Sequence, residues 1–323
     1  MRLRAVPWLW PFLVAGCFDP QPAANLPCGP MMTCPTDQTC SAGICIAGEP
    51  GPDAGELEDD GPADASSVDA ANVDSDGDGV LDPSDNCDQI ANPTQHDEDT
   101  DDVGDACDNC PHVANPGQQD ALEPAGQADG VGDACDPRPT LPGDSITVFY
   151  PFDVMPGGLM VLDGTTAIDS DQLAVTAGDG DTRLRLPGDR AKVTIEIAGT
   201  VDARDDDEVG LGVLFAEDNG DHHHCGYYDL TKEADYHTAL VEYYDGIFNY
   251  LDAVHPSTEL PLGPFLIRAS ADPSTDQINC TTTDSRGTFS TAPASPALQA
   301  GKVGVGGLLI PSYHLRYLVV FEH

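Results

Sequence analysis

The sequence predicts a mainly β protein, with an antiparallel β-sandwich over residues 144–323 preceded by irregular aspartate-rich loops and a disordered acidic linker. Three observations carry this. From about Asp144 short apolar runs alternate with Gly, Pro and Asp turns, and no helical period persists. Residues 74–136 return acids at fixed offsets with few large apolar side chains between them. Residues 49–73 are so rich in Asp, Ala, Gly and Pro that no buried surface can offset the entropy of ordering them.

The acid is extreme and unevenly placed. Against 56 Asp and Glu stand 13 Lys and Arg, a formal net charge of -43. No Lys or Arg lies between Arg4 and Arg138. Such a chain repels nucleic acid and favours divalent cations, so nucleic acid is excluded as a partner.

Taken in order, residues 1–16 read as an export signal. Met1-Arg2-Leu3-Arg4 is a basic start, and the apolar stretch after it is too short, and too broken by Pro7 and Pro11, for a membrane span. Leu13-Val14-Ala15-Gly16-Cys17 resembles the lipobox of bacterial lipoproteins. That resemblance implies acylation (palmitate or a similar chain) at Cys17, removal of residues 1–16 and attachment to the membrane through the lipid anchor, several chains giving stable binding. Phe18, in place of an Asp, points to the outer membrane or cell surface. Setting Cys17 aside leaves ten cysteines in groups of even number, which suits disulfides in an oxidising compartment. Zinc at Cys107-Asp-Asn-Cys110 is the competing reading, and the export signal opposes it.

Residues 17–48 hold Cys28, Cys34, Cys40 and Cys45 at spacings too close for a core, so a small disulfide-stapled module is expected, its connectivity open. Residues 49–73 then act as a charged, extended spacer.

Residues 74–136 carry the strongest pattern. Asp74, Asp76, Asp78, Asp82 and Asp85 fall at positions 1, 3, 5, 9 and 12 of a loop with Gly79 at 6 and the Val80 carbonyl at 7. Alternate residues of a tight loop turn oxygens inward, and hard oxygen ligands in this number select Ca2+. The offsets return at Asp97, Asp99, Asp101, Val103, Asp105 and Asp108, where Asp102 replaces the glycine at a position that wants positive φ. Asp129, Asp133 and Asp136 keep part of a third loop, but Ala125 and Gln127 stand where carboxylates belong, so a weak or empty site is expected there unless the insertion around Asp120 to Gly126 compensates. Asp85-Asn86-Cys87, Asn92-Pro93-Thr94-Gln95 and Gly104-Asp105-Ala106-Cys107 recur as Asp108-Asn109-Cys110, Asn115-Pro116-Gly117-Gln118 and Gly132-Asp133-Ala134-Cys135. In that combination residues 74–136 resemble thrombospondin type 3 repeats. The resemblance implies a chain wound around calcium ions with almost no apolar core, and disulfides Cys87–Cys107 and Cys110–Cys135.

Over residues 144–323, strand-like runs occur at 145–150, 158–162, 172–176, 182–186, 208–216, 238–244, 264–270, 277–283 and 301–309. Val193, Ile195 and Ile197 alternate with polar neighbours, as do Tyr313, Leu315, Tyr317, Val319 and Phe321. Val209–Phe215, Cys225-Gly226-Tyr227-Tyr228 and Gly301–Leu308 make this block similar to concanavalin-like (laminin-G-like) jelly rolls, with Cys225 and Cys280 stapling two strands or loops. No Glu-x-Asp-x-x-Glu, Gly-x-Ser-x-Gly or His-Glu-x-x-His occurs, so an enzyme is not expected. Asp221-His222-His223-His224 reads as an exposed loop, and Tyr227, Tyr228, Tyr243 and Tyr244 are candidates for stacking on sugar rings. The function expected is a calcium-binding surface lipoprotein whose sandwich recognises a glycan or protein partner in adhesion. The alternatives are a surface-attached glycoside hydrolase and a purely structural protein.

Overall fold

The computed structural model describes residues 26–27, 38–41, 44–47, 73–178, 180–203, 209–218, 221–229, 237–245, 247–254, 261–272, 277–294 and 300–323. The chain divides into two units, Met1–Ser66 and Ser67–His323. In the first, β1 (Leu26–Pro27), β2 (Gln38–Ser41) and β3 (Ile44–Ala47) form a small antiparallel sheet in the order β1-β3-β2. The tight β2–β3 hairpin places Cys40 opposite Cys45. The export signal, Cys17 and the linker as far as residue 72 lie outside the described residues.

In the second unit residues 73–144 are turns and bends, with one 3-10 turn at Asp82–Ser84 as their regular structure. Disulfides join Cys87 to Cys107 and Cys110 to Cys135, the pairing the repeat resemblance implies. With so few apolar residues, cross-links closing 20 and 25 residues supply restraint that a core would otherwise give, each worth about 3 kcal/mol in a chain-entropy account.

The remainder is an antiparallel sandwich. One sheet runs β13-β12-β11-β10-β17-β8-β5. Its strands are β5 (Met160–Asp163), β8 (Asp181–Arg185), β10 (Val209–Asp218), β11 (Asp221–Asp229), β12 (His237–Tyr244), β13 (Ile247–Val254) and β17 (Lys302–Leu308). The other runs β16-β15-β14-β9-β18-β7-β6, with β4 also paired to β18. Its strands are β4 (Ser145–Tyr150), β6 (Thr165–Ile168), β7 (Leu173–Thr176), β9 (Val193–Ala203), β14 (Gly263–Asp272), β15 (Gln277–Asp284), β16 (Gly287–Ser290) and β18 (Ser312–Glu322). Ile195, Ile197, Leu211, Val213, Leu240, Ile267, Val305 and Leu318 meet between the sheets with no exposed surface. Cys225 on β11 is bonded to Cys280 on β15, so this disulfide ties one sheet to the other.

Two expectations need correction. Asp221–His224 lie within β11, not in a loop, with His223 and His224 paired on both sides, by β10 and β12. On β18 the alternation of Tyr313, Leu315, Tyr317, Val319 and Phe321 does not define one face. A register shift between Leu315 and Tyr317 leaves Arg316 as the bulged residue. Tyr313, Leu315, Leu318 and Val320 point into the sandwich, while Tyr317, Val319 and Phe321 point out of it.

That outward face is covered by the aspartate-loop segment. Cys110, Val131 and Cys135 pack against Ala198, Tyr317, Val319 and Phe321. His112 sits among the rings of Phe149, Tyr317 and Phe321. This explains why β9 is buried along Val193–Gly199 on both faces, where the sequence alternates apolar and polar residues. The repeats are therefore docked on the sandwich.

Candidate metal centres and recognition cleft

The geometry of the loops begins with Asx turns. Asp74 accepts the N–H groups of Gly77 and Gly79, Asp76 that of Asp78, and Asp78 that of Val80. Asp97 accepts from Thr100, Asp101 and Asp102, and Asp101 from Val103. Gly79 has φ +99° and Asp102, at the same loop position, φ +73°. A non-glycine residue there is strained by a small amount that a loop-closing side-chain bond offsets.

The repeats are joined by identical contacts. The Asn92 N–H donates to Asp78 Oδ2 at 2.8 Å, and that of Asn115, 23 residues on, donates to Asp101 Oδ2 at 2.6 Å. Gln95 accepts the Asn86 N–H and donates to Asp85; Gln118 does the same for Asn109 and Asp108. The recurring Gln side chains thus hold the position-12 carboxylates, and the Asn backbone N–H groups hold those at position 5. The sequence signal for that role is their return, with the aspartates, every 23 residues: Asn92 and Asn115, Gln95 and Gln118.

Two tight carboxylate groups result. Oxygens of Asp74, Asp76 and Asp78 lie within 4.8 Å of one another, and so do oxygens of Asp97, Asp99 and Asp101. Asp82 and Asp105 do not join them. Asp82 accepts both hydrogen bonds of Ser75 and Asp105 accepts the Glu98 N–H, so these position-9 acids close the loop from behind. Burial, reinforced by Asp101, Asp108 and Asp97, pushes the Asp99 carboxyl up to about 7, and burial raises Asp76 and Asp108 as well. Asp76 Oδ2, Asp85 Oδ2 and both oxygens of Asp99 are buried with no hydrogen-bond partner. A hard divalent cation would supply the missing partner and the missing charge, so these residues fit calcium.

Residues 63–95 and 95–118 match the family model of the thrombospondin type 3 repeat. No curated protein matches the chain. Among solved structures the chain is similar to a carbohydrate-binding module, CBM66, from Bacillus subtilis (14% identical, 49% of this chain and 91% of that one, TM-score 0.38). It is also similar to a Bacillus subtilis protein of unknown function with a galectin-like fold (11%, 55% and 96%, 0.44) and to the Lotus tetragonolobus seed lectin (12%, 54% and 96%, 0.41).

The thrombospondin-like segment reaches into the sandwich's own surface chemistry. Glu98, next to Asp99, pairs with the bulged Arg316 at 2.9 Å. Burial pushes the Glu98 carboxyl up to about 7 against the pull of Arg316. The guanidinium also lies 5.1 Å from the centroid of the Tyr317 ring. Arg316 and Tyr317 border a cleft of about 450 Å³ on the outer face of β9, β14 and β15, with Ala198, Leu266, Thr283 and Asp284 also lining it. An apolar floor with a few convergent polar groups, in this size range, suits a small ligand.

The predicted tyrosine site is not assembled. Tyr227 is wholly buried between the sheets and donates to the Thr283 carbonyl, so it cannot stack on a ligand. Tyr228 is buried against Ala239 and Val241. Tyr243 stacks on His222, which stacks on His224, in a shallow pocket of about 120 Å³ with Asp181 and Arg183. Tyr244 is exposed at the end of β12. A run of tyrosines on adjacent strand positions necessarily sends them to opposite faces, which is why sequence proximity misled.

Proposed function

We propose that this protein is an exported, lipid-anchored surface protein whose aspartate loops bind calcium and whose sandwich recognises a glycan. The observation that carries the reading is the Glu98–Arg316 pair, because it couples a cation loop to the recognition cleft. With Asp97, Asp99 and Asp101 holding a cation, the Glu98 backbone is fixed and Arg316 is held at the cleft's edge. There its guanidinium and the Thr283 hydroxyl offer hydrogen bonds to hydroxyl groups, and Leu266 offers an apolar surface to a ring. Acylation at Cys17 and display at the outer membrane belong to the same proposal, resting on Leu13–Cys17.

The test is a glycan array probed with the full chain in calcium and in excess chelator. A calcium-dependent hit weakened about tenfold or more by Arg316→Ala supports the reading. Binding indifferent to both chelator and Arg316→Ala, or no glycan bound at all, sinks it.

A further inference from the structure

The third loop departs from the pattern of the first two. Counted back from Asp136, Ala125 and Gln127 fall where Asp97 and Asp99 stand in the second loop, and residues beyond 118 lie past the family match. The inserted segment nevertheless delivers acids of its own. Oxygens of Asp120, Glu123 and Asp133 lie within 4.8 Å of one another, and so do oxygens of Glu123, Asp129 and Asp136. Glu123 belongs to both groups.

Its environment is what points to a ligand. Glu123 is 7% exposed, and neither of its carboxylate oxygens has a hydrogen-bond partner. Asp120 Oδ1 and Asp136 Oδ2 are likewise buried and unpartnered. An unpaired buried carboxylate is costly, and Glu123, with an unpartnered acid in the cluster on each side of it, favours positive charge at both. The remaining oxygens are used to fix the frame. Asp120 accepts the Gly130 N–H at 2.8 Å, Asp133 accepts those of Ala121 and Leu122 at 3.1 Å, and Asp129 accepts those of Gly143 and Asp144 at 2.8 and 2.7 Å.

We infer that residues 120–136 form a further site for two calcium ions that share Glu123, which replaces the carboxylates lost at positions 125 and 127. The inference rests on the calcium reading of the first two loops and extends it to ligands that the repeat pattern does not contain. The donor set is all oxygen, which selects a hard cation. Its irregular spacing along the chain suits the flexible coordination of calcium better than the strict octahedron of magnesium. The sequence expectation of a weak or empty third site is revised accordingly.

The test uses the full oxidised chain with calcium or terbium as probe. Anomalous scattering from crystals grown in terbium should show peaks on both sides of Glu123 as well as in the first two loops. Titration should show Glu123→Gln losing two bound ions while the first two loops keep theirs, and Asp99→Asn losing occupancy in the second loop with the third unaffected. Peaks in the first two loops and none at Glu123, or full stoichiometry in Glu123→Gln, overturn this inference and leave the calcium reading standing. Absence of ions from every loop overturns both. The anomalous map is read on the unsubstituted chain, so misfolding of a variant does not blunt the test.

Discussion

Individual residues in the loops are chosen for fit at distances of a few ångströms. Gly104 lies so close to Asn86 that a Cβ built on it would sit 2.3 Å from Asn86 Oδ1; Gly132 stands in the same relation to Asn109. The glycine of each Gly-Asp-Ala-Cys phrase is therefore set by the close approach of the preceding unit's asparagine, which its backbone N–H also meets by donating to the asparagine carbonyl at 3.0 Å. Gly104→Ala should lower stability by about 1–3 kcal/mol through overpacking, with the disulfide at Cys107 intact. Chemical denaturation of the two forms in calcium checks this. An unchanged midpoint would mean that the asparagine side chain swings aside at no cost.

At the scale of elements, the decisive feature is the seat of the repeats on the outer face of β9 and β18. His112 is buried there, 3.5 Å from Glu196, which also accepts the Tyr317 hydroxyl at 2.7 Å. Burial first, then the Arg268 and Arg316 charges, push the His112 imidazole down to about 3. The neutral ring is the folded form. Its contribution is complete above the unfolded value of 6.5 and is lost as pH falls from there toward 3. The unsubstituted chain should therefore lose up to about 1.4 kcal/mol for each pH unit in that window relative to His112→Gln. Parallel stability curves for the two proteins would show that the ring stays solvated. The same elements show how much of the fold the sequence carries. Loop offsets, disulfide partners and most strands are local or pairwise facts, readable from spacing. The seat is not, because it depends on one bulged residue, Arg316, that reverses the faces of every later residue in β18, and on a covering segment far away in sequence. The third loop was half legible: the loss at Ala125 and Gln127 is visible in the chain, whereas Glu123 serves only once the insertion has folded back.

Across the molecule, a net charge of -43 opposes compaction, and residues 74–136 bring 18 Asp and Glu, with no Lys or Arg, next to the sandwich. Chelation should therefore act beyond the loops. At calcium a hundredfold above its dissociation constant, each site contributes about 2.7 kcal/mol, so removing the ion lowers the melting temperature of any element coupled to it. Calorimetry with and without chelator should show the sandwich transition moving down together with the loops. A sandwich transition that stays put would separate the two energetically despite their contact.

The Cys87–Cys107 and Cys110–Cys135 rings follow one another with only two residues between them. Tension applied along the chain passes through those sulfur bridges and skips the loops they enclose. Segments of 20 and 25 residues would otherwise pay out on the order of 70 and 85 Å of slack. The two rings thus behave as a short inextensible tether: a load reaching the sandwich arrives with the second and third loops still wound, and the length those rings enclose is released only in a reducing medium.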